Sequence, residues 1–474
     1  MDGWNWRPVG MVTGLALIAA GCVHYEARPL HPVQTAHVLE GRSLESPSLR
    51  TFLEASLGHP MSQWPQPAWS FDTLSLAAVF FSPELATLRA QREIADAAIQ
   101  TAAAHPNPTV GLQGGYNFDA GHTGITPWIP GTTLDLPIET AGKRSRRMER
   151  AGHLAQAARW NLAAAAWTVR ASIRVALLET IAAETKGSLL SETLECTDRM
   201  GRILEQRLEA GAATTLEVNS ARVNRLRLSA DVADARRAAM EARQHLAALI
   251  GVPGSALHGI QFLPPPSHPA PNAATQASLR TAALQERADI QSSLAAYEAS
   301  ESQLRLEIAK QYPDLHLGNG YQWDQGDSKW TFGLNLELPV LNRNQGGIAE
   351  AIARRTEAAA QVMAVQSRVL GDLEHAASLM DLLQHQREDA QVLAEALRLQ
   401  TQRVRARAEQ GGADRLEVET TRLEELTQRL SIADLELRFA LAQAAWEAAV
   451  QRPLEAMTYP PNQPVPAPTS LTSP

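Results

Sequence analysis

Thirteen histidines and two cysteines are the side chains in these 474 residues best suited to metal ligation or nucleophilic chemistry. Their spacing assembles neither. His24, His31 and His37 fall in the N-terminal segment, His105, His122 and His316 lie at or near candidate strands, and His153 and His245 stand alone on candidate helices. None of these is followed by a second histidine or a cysteine at the i+3 or i+4 position that a helical metal motif uses. The chain lacks HExxH, CxxC, GxSxG and a phosphate-cradling glycine loop. No metal site, cofactor or catalytic residue is expected, which argues against an enzyme. Cys196 sits within a helical pattern and reads as a small core or surface residue.

Cys22 has a different context. It closes residues 10–22 (GMVTGLALIAAGC), an apolar run ending in small residues. That run suits the apolar region of a signal peptide and is too short to span a bilayer. Small residues directly before a cysteine resemble a bacterial lipobox, although Ala19 stands where leucine is commonest. The expectation is a signal peptide over 1–21 and lipidation of Cys22. No stretch reaches the 18–20 or so apolar residues of a transmembrane helix.

The elements that would carry any function come twice. Residues 208–218 (LEAGAATTLEV) recur without a gap as 408–418 (AEQGGADRLEV), residues 108–116 (PTVGLQGGY) as 313–321 (PDLHLGNGY), and residues 133–138 (TLDLPI) as 335–340 (NLELPV). Landmarks in the same order imply a duplicated unit of roughly 200 residues, far longer than a solenoid repeat. Each copy reads helix, strand pair, very long helix, helix. The boundaries expected are an N-terminal extended segment over 22–69, repeats over 70–262 and 272–457, a Pro-rich linker over 263–271 (LPPPSHPAP) and a disordered tail over 458–474. Aromatics make up only 5% of the chain, a mix that favours long helices over a compact aromatic core. A net charge of −8 gives no footprint for nucleic acid. The basic block at 143–150 (KRSRRMER) reads as a solvated helix face.

The strands alternate. Val110, Leu112, Gly114, Tyr116 and Phe118 share one face, and Thr132, Leu134 and Leu136 continue it on a partner strand. In the second copy Leu315, Leu317, Asn319, Tyr321 and Trp323 pair with Trp330, Phe332, Leu334, Leu336 and Leu338. Strands of about ten residues with one apolar and one polar face suit a membrane β-barrel, and Trp128, Tyr321, Trp323 and Trp330 fall where an aromatic girdle would sit. Two soluble hairpins packed on helices would show the same alternation. Four membrane strands cannot close alone, because lipid offers the edge amides no partner. Pooling strands from three copies would give a 12-stranded barrel.

No proline interrupts residues 140–210 or 345–410, so each predicts a helix on the order of 100 Å at about 1.5 Å per residue. Gly187 is a point where the first could bend. Gly211 and Gly411–Gly412 predict C-terminal caps, with helices returning over 214–250 and 414–450. The last helix carries a heptad seam, Leu423, Leu426, Leu430, Ala433, Leu437, Ala440 and Ala444. Its counterpart, Val223, Leu226, Ala230, Ala233 and Met240, is interrupted by Arg237.

Signal peptide, duplicated strand pairs and paired long helices together resemble the TolC family of outer-membrane efflux channels, across residues 70–457. The most specific local text is HPNPTVGL at 105–112, LDLPIETAGKR at 134–144 and the two Gly-then-LEV tips. The ETAGKR stretch is similar to the subgroup serving heavy-metal efflux systems of the resistance–nodulation–division class. The resemblance implies an α+β membrane protein. In it a helical coiled-coil tunnel continues a trimeric 12-stranded barrel, to which each chain gives four strands. It also implies a homotrimer in the Gram-negative outer membrane, docked on a periplasmic adaptor that joins it to an inner-membrane pump. In the family the turn between long and returning helix forms the periplasmic mouth and meets the adaptor. Here that maps to Gly211, Ala212, Thr214 and Leu216, and to Gly411, Gly412, Asp414 and Leu416. An acidic ring closes the family's mouth. Here Glu417 matches its first carboxylate, and Thr420 stands at the second. The function implied is passive conduction, of divalent heavy-metal cations first and of drugs or small organics as an alternative. From another class, a non-conducting periplasmic coiled-coil scaffold lipoprotein would share the long helices.

Overall fold

A computed structural model describes residues 24–119, 126–268 and 272–453. The expected signal peptide, Cys22, His122, the end of the Pro-rich linker and the tail lie outside the described residues.

Two helices of about 100 Å dominate the chain. Helix α5 spans Lys143–Glu209 and α9 spans Gln345–Glu409. Each turns back on itself, into α6 (Thr215–Ile250) and α10 (Arg415–Val450). Before them stand α4 (Pro83–Ala103) with strands β2 (Thr109–Tyr116) and β3 (Trp128–Ile138) in the first repeat. The second repeat has α8 (Ala288–Ala309) with β5 (Leu315–Asp324) and β6 (Asp327–Leu336). Helix α5 runs unbroken through Gly187.

The segment expected to be extended is not. It forms α1 (Pro32–Glu40) and α2 (Pro47–Leu57), each opened by a proline whose missing N–H costs nothing in a first turn. Gly58, at φ 74°, closes α2 in the left-handed region. Leu49 and Leu53, one turn apart, are fully buried with Leu44. They pack with α3 (Phe71–Phe81), with Ile173 and Leu177 of α5, and with Leu246 and Ile250 of α6. Strand β1 (Ala68–Trp69) pairs in parallel with β4 (Gln261–Phe262) beside this core. A matching core in the second repeat joins Leu279 of α7 (Ala273–Glu286) and Ile290 of α8 to Val369, Leu373 and Met380 of α9 and to Phe439 and Trp446 of α10.

The sheet order is β2-β3-β5-β6, antiparallel throughout, with Leu136 opposite Leu317 where the repeats meet. Strand boundaries differ from those expected. Strand β2 stops at Tyr116, so Phe118 lies beyond it, and β3 begins at Trp128 rather than Thr132. Strand β6 covers Asp327–Leu336, because Gln325 and Gly326, at φ 54° and 114°, turn the hairpin in two residues. Positive φ at both central positions matches the right-handed twist of a hairpin. Leu338, just before Pro339, falls outside the strand.

The basic block is also not simply solvated. Lys143, buried, donates to the Tyr312 carbonyl at 2.7 Å and to Asp314 at 2.8 Å. Arg144 donates to the Ala103 carbonyl at 2.6 Å, and Arg147 pairs with Glu139. These side chains fasten the start of α5 to the end of α4 and to the segments flanking the strands, where the last carbonyls of a helix and nearby carboxylates need donors.

Candidate functional site

The two helical tips share one construction. At each, a glycine in the left-handed region follows the long helix: Gly211 at φ 73° and Gly411 at φ 75°. Ala212 N–H donates to the Arg207 carbonyl at 2.7 Å, and Gly211 N–H to Leu208 at 3.0 Å. Gly412 N–H donates to Arg407 at 2.8 Å, and Gly411 N–H to Ala408 at 3.0 Å. This pair of bonds is a Schellman cap, which satisfies the last carbonyls of a helix and reverses the chain.

The returning helices start differently. Thr214 caps α6 with a capping box, its Oγ1 accepting from Glu217 N–H while its own N–H donates to the Glu217 carboxylate at 2.7 Å. The Thr214 N–H first, then its hydroxyl donating at 2.8 Å, hold the Glu217 carboxyl below the usual carboxylate range. Asp414, at the same position on α10, makes no side-chain cap. It pairs instead with Arg207 of the first repeat, which sets the two tips side by side.

Glu417 lies at the tip, exposed, where Arg407 Nη2 donates to it at 2.8 Å. The carboxylate matched to the family's acidic ring therefore carries a counter-charge. Thr420 is exposed and bonds back to the Leu416 carbonyl at 2.8 Å. Leu216 is 78% exposed and Leu416 half-buried, and Gly211, Ala212, Gly411 and Gly412 are all exposed.

Above the tips, further ion pairs join α5 to α10. Arg199 donates to Glu419 at 3.0 Å, and Arg429 to Glu192 at 3.1 Å. Cys196, fully buried, donates its thiol to Glu419 at 3.2 Å. Burial first, then that carboxylate, push the thiol up to about 12. Sequence reading singled out Cys196 as a small core or surface residue and missed the others. Only Arg207 and Arg407, ten positions before Glu217 and Glu417, carry a signal that the duplication could have flagged.

At the other end, one face of the sheet holds Val110, Leu112, Tyr116, Leu134, Leu136, Leu317, Tyr321, Trp330, Phe332 and Leu334, since cross-strand partners share a side. Tyr116 packs on Trp128 and Tyr321 on Trp330, with ring centroids 5.0 and 4.9 Å apart, near the hairpin loops. Among the described residues β2 and β6 are the sheet's edges, each paired on one side only. The seam expected along α6 is open too: Val223, Leu226 and Met240 are exposed, while Val232 and Ala235 face Leu190 of α5. Among the described residues no single helix is long and apolar enough to cross a membrane.

Comparison with known proteins agrees with this geometry. The cobalt-zinc-cadmium resistance protein CzcC of Cupriavidus metallidurans is 27% identical over 237 residues, 49% of this chain and 55% of that protein. The match thus spans about half the length of that relative. The fold is similar to that of the outer membrane protein VceC of Vibrio cholerae, with a TM-score of 0.66 at 20% identity over 80% of this chain and 95% of that one. It is also similar to the open state of the MtrE outer membrane channel of Neisseria gonorrhoeae, with a TM-score of 0.60 at 17% identity over 80% and 88%. The outer membrane efflux protein profile matches residues 78–252 and 279–450, both repeats, and the chain belongs to that family.

Proposed function

We propose that the chain is the outer-membrane duct of a tripartite efflux system and passively conducts divalent heavy-metal cations outward. The observation that carries this reading is the four-stranded sheet, with its exposed apolar face and two open edges, joined directly to two hairpins of roughly 100 Å helices. In lipid such edges must be paired. Three copies joined β6 to β2 would do so, making a 12-stranded barrel with its polar face inward. The open seam on α6 would then be covered by a neighbouring copy. Cleavage after residue 21 and lipidation of Cys22 would hold the chain at the outer membrane.

The tips Gly211–Leu216 and Gly411–Leu416 would form the periplasmic mouth, meeting an adaptor that connects to a resistance–nodulation–division pump. The mouth would open as the helices near the tips shift outward on adaptor contact. The chain would do no chemistry of its own; a duct needs position and charge rather than a reactive group. Metal cargo is supported by the name of CzcC and by the ETAGKR stretch.

Planar-bilayer conductance of the detergent-purified protein, with its oligomer mass, tests the reading. Trimer-sized particles giving cation-selective steps are expected. A protein that stays soluble without detergent and never conducts would leave the scaffold instead.

A further inference from the structure

His316 and Asp135 meet on the polar face of the sheet. Asp135 on β3 stands opposite Gly318, two residues from His316 on β5, so the pair is a diagonal cross-strand contact. His316 Nδ1 lies 2.9 Å from Asp135 Oδ2. A carboxylate only accepts, so Nδ1 carries the proton and donates, and in the neutral imidazole Nε2 then keeps its lone pair. Among the described residues Nε2 has no hydrogen-bond partner. A carboxylate that fixes an imidazole in this way is the usual outer support of a metal-ligating histidine, setting its tautomer and raising its basicity.

The surroundings leave room for an ion. His316 and Asp135 border a depression of about 410 Å³ that Gly318, Gly320, Gly333 and Asn335 also line. Gly318 and Gly333 face each other across β5 and β6, and a Cβ on either would meet only the other's carbonyl, at 3.7 Å. Asn335 is the cross-strand partner of His316 and offers an amide oxygen on the same side. The first repeat lacks the feature: in the aligned texts PTVGLQGGY and PDLHLGNGY, Gly111 takes the place of His316.

We propose that His316, oriented by Asp135 and with Asn335 opposite it on the paired strand, is a weak binding station for a divalent transition-metal ion, one per chain. Imidazole nitrogen with amide oxygen and water suits a borderline ion such as Cu²⁺, Zn²⁺ or Co²⁺. One nitrogen ligand holds such an ion loosely, and loose binding is what conduction needs, since an ion must both enter and leave. The proposal rests on the duct reading for its biological sense, because only there does the polar face line the path; the binding itself does not need conduction.

Metal-catalysed oxidation tests it on the full chain in detergent. Cu²⁺ with ascorbate in air oxidises the histidines that hold the copper, and peptide mass locates the product. His37 and His385 serve as controls, because their side chains are 76% and 73% exposed against 44% for His316, and each also has a carboxylate nearby. His316 should be oxidised at least fivefold faster than either control. Asp135→Asn should lower that rate about tenfold, the size of effect expected for loss of an outer-shell partner, and leave the controls unchanged. His316→Gln should remove one weak ion per chain from a Cu²⁺ titration while the trimer mass is kept. Oxidation of His316 no faster than the controls, or no response to Asp135→Asn, would overturn the station. If conductance fails but this pattern holds, the station stands and the duct reading falls; if the protein conducts without the pattern, the reverse is true.

Discussion

Arg407 donates to Glu417 at 2.8 Å, whereas the same two residue types 200 positions earlier do not pair with each other. Glu217 is occupied by the Thr214 capping box, and Arg207 reaches across to Asp414. Duplication produced two identical spacings, and of the five positions at which 208–218 and 408–418 differ, Thr214 against Asp414 is the one that redistributes these contacts. In the proposed trimer the mouth is therefore a ring of ion pairs rather than of bare carboxylates. Removing either partner should then act in opposite directions. Arg407→Ala should raise cation selectivity in bilayers severalfold by freeing Glu417, and Glu417→Gln should lower it by leaving Arg407 unpaired. Selectivity that moves the same way in both variants would place the pair away from the conducting path.

Cys196 should be nearly inert. The nucleophile is the thiolate, and burial together with Glu419 raises the thiol to about 12 from an ordinary value of 9.0. Its folded value lies above its unfolded value, so the protonated thiol's contribution to stability is fully present below pH 9 and declines as pH rises toward 12. Maleimide labelling of the folded protein at neutral pH, mapped by peptide mass, should leave Cys196 unmodified. Glu419→Gln should increase its labelling, since the carboxylate that repels the thiolate is gone. Rapid labelling of the unmodified chain at neutral pH would contradict this environment.

How much of this was legible in the sequence depends on the range of the interactions. The tips were legible because a Schellman cap needs glycine where φ is positive, a local constraint repeated at Gly211 and Gly411. Strand faces were legible because alternation has a fixed period. The ends of the strands were less so: whether Trp128 pairs with Tyr116 is decided by register with a partner, not by its own neighbours. The N-terminal segment was misread because its apolar residues are few. Leu49 and Leu53 of α2, with Leu44 in the turn before it, form core only against α3, α5 and α6, contacts between distant parts of the chain. The rungs between α5 and α10 were invisible for the same reason. Nothing near Glu419 announces Arg199, which lies 220 positions away. His316 was noted but not joined to Asp135, since their meeting depends on how β3 pairs with β5.

The packing of α5 on α10 depends on a buried charge cluster. Glu447 of α10 pairs with Arg174 of α5, the side chain of each only 4% exposed, and Arg170 approaches Glu447 at 3.3 Å while also pairing with Asp72 at 2.9 Å. Breaking a buried pair strands the remaining charge, which typically costs about 3–5 kcal/mol. Glu447→Ala should therefore lower the thermal midpoint of the purified protein strongly. Arg170 and Arg174 would be left against Phe71, whose ring they already face at 4.3 and 5.2 Å. Glu447→Leu combined with Arg174→Met should recover much of the loss, because a packed apolar pair leaves no charge unpaired. Failure of the double variant to improve on Glu447→Ala would mean that Arg170 alone requires the carboxylate.

The two faces of β6 should respond differently to charge. Leu334 lies on the apolar side with Leu317 as its cross-strand partner, and Thr331 on the opposite side with Gly320. Both are exposed in the single chain, so exposure alone does not separate them. In the proposed barrel Leu334 faces lipid and Thr331 the lumen. An arginine on the lipid face near the bilayer midplane costs about 2–4 kcal/mol, whereas a lumenal charge stays hydrated. Leu334→Arg should reduce the yield of assembled trimer in the outer-membrane fraction, and Thr331→Arg should assemble normally while altering conductance. Equal tolerance of both substitutions would mean that the sheet has water on both sides. The strands would then belong to a soluble hairpin pair, and the exposed row of Val110, Leu112, Phe332 and Leu334 would need a protein partner rather than lipid.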